Sequence, residues 1–199
     1  MKNRVFARNL LIWVALFCGG SVSAQSVRRK TPSTKSCTVP TEEMQVIVAF
    51  AFDSLSHASA VLVNQTQAKL ADVDGLNPQL AAQGHGIPPD IREDFKKKNV
   101  SSCYIGPFTG VPNVRFMSLS EERQIFGKGI NGWREFHKKF GADTSLNSVS
   151  RVGFNSDKTV ALLYVSSGIA PMGAAGGLCL LERKEGKWVI KWNVVTWST

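Results

Sequence analysis

The last third of the chain constrains the fold most, because apolar segments of strand length follow one another there with short turns between them. The candidate strands cover residues 148–155, 158–166, 177–184 and 187–198. Residues 155–157 suit a turn between the first two, and Glu185-Gly186 suits a tight hairpin between the last two. Strands joined in this way pair as antiparallel neighbours, so the region predicts a meander of about four strands.

Two details of this region matter for function. Residues 168–177 are rich in glycine and predict a flexible loop between the second and third strands. Ser167 and Gly168 at its start are candidate binding residues, because flexible backbone amides can contact a ligand there. In the last strand, alternation places Trp188, Ile190, Trp192 and Val194 on one face.

The part of the chain before the meander is mainly helical. Thr41, Glu42 and Glu43 favour a helix start, and apolar residues recur at helical spacing up to Leu55. Further segments are predicted as strands at 60–64 and 114–119, as helices at 89–98, 121–126 and 132–140, and as a long irregular connection at 67–89. The predicted class is therefore α+β, with N-terminal helices packed on a C-terminal antiparallel meander.

The first residues resemble a secretory signal peptide. Lys2, Arg4 and Arg8 precede an apolar run at 10–17, and small residues stand at the −3 and −1 positions of a cleavage site after Ala24. The run is too short to span a membrane. We therefore predict a signal peptide at 1–24, a flexible basic arm at 25–36 and a single α+β domain at 37–199, periplasmic or extracellular and not membrane-spanning.

The net charge of +9 does not predict a nucleic-acid partner. Seven of the 24 basic residues lie before Cys37, which leaves 17 basic against 15 acidic residues in the predicted domain. Nucleic-acid-binding domains concentrate lysine and arginine on one face, and here the charge of the domain is nearly balanced.

Cleavage after Ala24 would leave three cysteines, Cys37, Cys103 and Cys179, in a compartment that permits disulfides. Three pairings are open. Cys179 lies in an apolar strand and is expected to be a buried thiol, whereas Cys37 and Cys103 lie in loop-like sequence beside candidate helices. We therefore favour a disulfide between Cys37 and Cys103. The cysteines do not have metal-ligand spacing, and no metal or cofactor is predicted.

Few residues offer catalytic chemistry. The three histidines, His57, His85 and His137, are too far apart in sequence for a helical zinc pair, and neither a Gly-x-Ser-x-Gly motif nor a phosphate-binding loop occurs. His85, between two glycines, is a candidate binding residue. Arg151 is another, since it could bind an anion or instead pair with a carboxylate such as Asp143 or Asp157. No catalytic residue is assigned.

A family resemblance rests on the C-terminal segments Ser150-Arg-Val-Gly-Phe-Asn155, the apolar strand ending at Val165, the run from Leu180 to Gly186-Lys-Trp188, and Trp197-Ser198. Together they resemble a group of exported bacterial proteins of uncharacterised function, and this likeness implies no catalytic residues. Helices followed by a curved sheet are also similar, more loosely, to NTF2-like or cystatin-like folds.

Two functions are consistent with these features. The preferred hypothesis is a non-enzymatic exported domain that binds a small ligand or an envelope protein through the concave side of its sheet or the glycine-rich loop. The alternative is a small hydrolase or isomerase-like enzyme with a pocket between helices and sheet, using His85 or His137 with Asp157 or Arg151. An imidazole and a carboxylate meeting in a deep pocket would favour the alternative.

Overall fold

The computed structural model describes residues 37–67, 72–127 and 129–199, so the predicted signal peptide and basic arm lie outside the described residues. Within these ranges no helix combines the length and hydropathy needed to cross a bilayer. The α-helices are α1 Thr41–Ser54, α2 Val73–Ala82, α3 Pro89–Lys98, α4 Leu119–Phe126 and α5 Gly132–Phe140. The strands are β1 Ala60–Val63, β2 Val114–Met117, β3 Ser145–Val149, β4 Gly153–Phe154, β5 Val160–Ala170, β6 Gly173–Lys184 and β7 Lys187–Ser198.

The described strands form one mixed sheet of seven strands in the order β2-β1-β3-β5-β6-β7, with β4 also paired to β5. The class is α+β, but the prediction of about four strands was wrong. β1 lies parallel to both β2 and β3, and this parallel part extends the antiparallel C-terminal strands. Helices therefore alternate with strands instead of all preceding the sheet. Sequence patterns identified β1 and β2 as strands, but local pattern carries no information on a distant partner.

Two predicted loops contain regular structure. The connection at 67–89 includes α2, which begins where the side chain of Asp72 accepts a hydrogen bond from the Asp74 amide. The predicted flexible loop at 168–177 is instead a hairpin, because β5 and β6 continue through it and leave only a short turn. Its glycines permit close packing: a Cβ atom on Gly177 would collide with the Val194 carbonyl.

A β-bulge in β7 reverses the predicted orientation of half the strand. Leu181 pairs with Ile190, but Leu180 pairs with Trp192, so one extra residue lies between the two pairs. An extra residue shifts the alternation of side chains by one position. Trp188 and Ile190 consequently face α1, whereas Trp192 and Val194 face the opposite side. The prediction that all four lie on one face was wrong.

The sheet has apolar layers on both faces. On one face, α1 contributes Val46, Ile47 and Phe50 to a core with alternate residues of β5 and β6. On the other face, α2 and α3 pack on β5, β6 and β7, and α4 and α5 pack on β1 and β2. Among the described residues, a single helix therefore covers the first face, hereafter the α1 face, while four α-helices share the other.

A buried ion pair attaches α1 to the sheet. Arg151, between β3 and β4, donates two hydrogen bonds to Glu43 of α1, at 2.6 and 2.7 Å, and the Val152 amide donates a third at 3.2 Å. The Glu43 side chain is 3% exposed and that of Arg151 is 12% exposed. These hydrogen bonds raise the pKa of the Arg151 guanidinium. Asn99 accepts a hydrogen bond from the Arg151 amide and fixes the same turn of backbone.

A disulfide between Cys37 and Cys103 lies beside this ion pair. The guanidinium of Arg151 is 3.0 Å from the Cys103 sulfur, and Cys103 is buried. The disulfide joins the residues before α1 to the segment after α3. Cys179 is a free, buried thiol, and burial raises its pKa to about 12. It therefore stays protonated and unreactive at neutral pH.

Gly153→Ala tests the packing of α3 on β4. A Cβ atom on Gly153 would lie 2.6 to 2.8 Å from backbone and Cβ atoms of Phe95, so α3 must shift. We expect a loss of roughly 2 kcal/mol in the free energy of unfolding, measured by urea denaturation. Gly106→Ala is the matched control, because no heavy atom lies within 4 Å of its added methyl. Equal stability of the two variants would contradict the packing argument.

Arg151→Met tests the buried ion pair. Of the described residues, it leaves Lys98, at 3.7 Å, as the one cationic partner of the Glu43 carboxylate, and breaking such pairs costs about 3 to 5 kcal/mol. The double variant Glu43→Leu/Arg151→Met removes both charges, so urea denaturation should show it to be more stable than Arg151→Met alone. Lys158→Met at the exposed Glu42 pair is the control and should leave the urea midpoint nearly unchanged. A control as damaging as Arg151→Met would refute the argument.

Candidate functional site

A small pocket, hereafter the Asn147 pocket, opens on the α1 face near the end of α1. Its volume is about 220 Å³. Helix α1 forms one wall, and β3, β5, β6 and β7 form the floor. The lining residues are Phe50, Ser54, Leu55, Asn147, Ser148, Val165, Ser166, Ser167, Ala175, Gly176, Gly177, Asn193 and Val195.

Strand register and side-chain size create this pocket. Asn147 pairs with Ser167, and Ser167 pairs with Ala175, so three small or polar residues stand in a row on the same face. Gly177 pairs with Val195 on the next row. Because the row contains no large apolar side chain, the sheet surface is lower here than beneath the rest of α1. Phe50 and Leu55 bound the resulting depression.

Asn147 is the most informative side chain of the pocket. It is 3% exposed. Its Nδ2 atom donates to Ser145 Oγ at 2.8 Å and to the carbonyls of Ser145 and Val61 at 3.3 and 3.4 Å. These hydrogen bonds hold the Asn147 carboxamide against β1 and β3 at the floor of the pocket.

Further neutral polar groups line the pocket. Ser54, Ser167 and Asn193 are exposed residues of the lining, and their side chains form no hydrogen bond with other described residues. None of the lining residues is ionisable. Phe50, Val165 and Val195 supply apolar surface beside them. The pocket can thus exchange hydrogen bonds with a ligand and cover its apolar part, but it has no charge to compensate an ionic ligand.

The residues predicted as candidates lie in different places. Ser167 lines the Asn147 pocket. Gly168, the next residue of β5, faces the opposite side, where a Cβ atom would lie 3.2 Å from Trp133. Arg151 pairs with Glu43. Arg151 thus does pair with a carboxylate, but the suggested partners Asp143 and Asp157 were wrong. The turn containing Arg151 packs against α1, whereas Asp143 precedes β3 and Asp157 lies in the β4–β5 turn.

The residues of the enzymatic alternative do not form one site. His85 packs against Trp192 on the face opposite α1, with ring centroids 5.4 Å apart. The ring nitrogens of His137 lie within hydrogen-bonding distance of two carbonyl oxygens, Nδ1 at 3.2 Å from that of Gly141 and Nε2 at 2.8 Å from that of Ile169. Asp157 accepts hydrogen bonds from Thr159 in the β4–β5 turn, and these lower the pKa of its carboxyl. The side chains of His85, His137 and Asp157 therefore each contact residues of their own surroundings instead of one another.

Sequence reasoning missed most of the pocket. Asn147, Ser54 and Asn193 are far apart in the chain, and no motif connects them. The one available signal was polar residues at inward-facing positions of strands, such as Asn147 in β3. Among the described residues no group of three or more histidine, cysteine or acidic side chains could hold a metal ion.

Comparison with known protein families, with curated proteins and with solved structures finds no match to this chain. No relative therefore supplies an activity or a set of site residues. The function of the chain is inferred from the geometry of its described residues.

Proposed function

We propose that this chain is an exported binding domain whose Asn147 pocket holds a small, uncharged, hydroxyl-bearing molecule, such as one sugar ring. The observation that carries the proposal is the lining of the pocket, which sets neutral polar side chains beside apolar surface and contains no ionisable residue. Ligand hydroxyls exchange hydrogen bonds with the Asn147 carboxamide at the pocket floor. The hydroxyls of Ser54 and Ser167 and the amide of Asn193 supply further donors and acceptors.

Size and polarity support this ligand class. The volume of about 220 Å³ is below the roughly 300–1,000 Å³ that is usual for drug-sized ligands, so the pocket takes a smaller molecule. The uncharged lining disfavours carboxylates, phosphates and amines, because their charge would lose hydration without gaining a partner. Apolar surface from Phe50 and Val195 suits the C–H face of a sugar ring.

Export is the second part of the proposal. The disulfide between Cys37 and Cys103 supports it, because disulfides persist mainly in oxidising compartments. The signal-like residues 1–24 support it independently. We further propose that the chain belongs to the group of exported bacterial proteins that its C-terminal segments resemble, and that it acts in the periplasm or outside the cell.

Titration with methyl β-D-glucopyranoside and other neutral monosaccharide glycosides tests the ligand class. We expect saturable amide chemical-shift changes around Asn147, Ser167 and Asn193 in two-dimensional NMR spectra. A dissociation constant of about 1 mM corresponds to −4.1 kcal/mol, which is reasonable for so small a ligand. Glucose 6-phosphate should bind more weakly than the neutral sugars because of its charge.

Ser54→Trp should abolish these shift changes by filling the pocket mouth. His57→Trp is the matched control, since His57 is an exposed residue close in sequence that does not line the pocket. Ser167→Ala should weaken binding without affecting stability. If no neutral sugar produces saturable changes, or if Ser54→Trp binds as well as the wild type, the proposal fails.

A further inference from the structure

The strand β7 forms an open edge of the sheet. It runs from Lys187 to Ser198 and pairs with β6 along one side, and no described strand pairs with its other side. An edge strand presents a row of backbone N–H and C=O groups that can bond to another extended chain. Long open edges are commonly covered, charged or used for binding. The residues around β7 show which of these applies here.

Helix α1 lies alongside this edge strand. Met44, Val48 and Phe52 lie on its outer flank, and with Trp188 and Ile190 of β7 they line a groove of about 790 Å³. Phe52 is 57% exposed, a high value for a phenylalanine on a core helix. A further strand paired with β7 would place the side chains of one of its faces against this groove. The groove shares no lining residue with the Asn147 pocket.

The charges along the edge are cationic. Lys187 and Lys191 are exposed residues of β7, and the strand contains no acidic residue. Lys191 lies 3.6 Å from Glu182, which Lys184 also contacts, and Lys187 has no ion-pair partner among the described residues. On the helix side of the groove the ionisable lining residue is Asp53. Acidic groups are therefore favoured beside β7 and disfavoured beneath α1.

We propose that β7 and this groove bind an extended segment of a partner polypeptide, which adds to the sheet as a further strand. Its backbone bonds to the free edge of β7. Alternate apolar side chains enter the groove beneath Val48 and Phe52, and the intervening acidic side chains lie beside Lys187 and Lys191. Successive residues of a strand point to opposite faces, so such a segment alternates apolar and acidic residues.

A second copy of the chain fits this edge less well. Pairing β7 with β7 of another copy would bring four lysines to one interface with no acidic residue on either strand. Edge lysines are a common means of preventing self-association of sheets. The occupant is therefore a different chain with acidic residues.

Fluorescence anisotropy with a labelled peptide of alternating glutamate and valine, about six residues long, tests this inference on the full chain. We expect saturable binding. A peptide N-methylated at alternate residues keeps charge and apolarity but loses backbone donors, and it should bind at least tenfold more weakly. Phe52→Asp should weaken binding to a similar extent. Val100→Asp, at a residue 73% exposed and outside the groove, is the matched control.

A charge exchange makes the test specific. The variant Lys187→Glu/Lys191→Glu should no longer bind the glutamate–valine peptide and should instead bind a lysine–valine peptide. Absence of saturable binding, or binding unaffected by both N-methylation and Phe52→Asp, would overturn the inference. So would a dimer of the free chain in sedimentation equilibrium that Phe52→Asp dissociates, since a second copy would then occupy the groove. A failure of the sugar titrations would not change the expected peptide binding, because the groove and the Asn147 pocket have separate linings.

Discussion

The position of α1 on the sheet depends on the buried ion pair between Glu43 and Arg151. The carboxylate receives two hydrogen bonds from the guanidinium and one from the Val152 amide, so it is held at one place and angle. The disulfide at Cys103 lies against the same guanidinium. Both cavities of the α1 face use this helix as a wall, so their shape depends on its position.

The cavities result from a mismatch between one helix and a wide sheet. Neighbouring strands are about 4.8 Å apart, so six strands side by side span roughly 25 Å, whereas a helix with its side chains is about 10 Å across. In the described part of the chain, four helices cover the opposite face, whereas α1 is the one helix on the α1 face. It leaves a polar depression near its end and an apolar groove over the edge of β7. Both proposed sites occupy surface that no second helix of the described residues covers.

Much of the local structure was predictable. Helices α1, α3 and α5, the two short turns and the strand character of the C-terminal third follow from apolar periodicity and turn residues, which act over a few neighbours. The parallel pairing of β1 and the bulge in β7 were not predictable, because each depends on a partner strand. Gly168 and Gly177 looked like loop residues, yet both serve close packing in strands.

The sequence by itself determined the α+β class, the charge balance and the amphipathic segments, since these depend on residue types and their spacing. Tertiary structure decided the number of strands, the partner of Arg151 and the composition of both cavities. Asn147 and Ser54 line one pocket only because α1 packs on the sheet, and Phe52 lines an open groove only because β7 ends the described sheet. Such contacts join residues distant in the chain, and their geometry arises from how complete elements pack together.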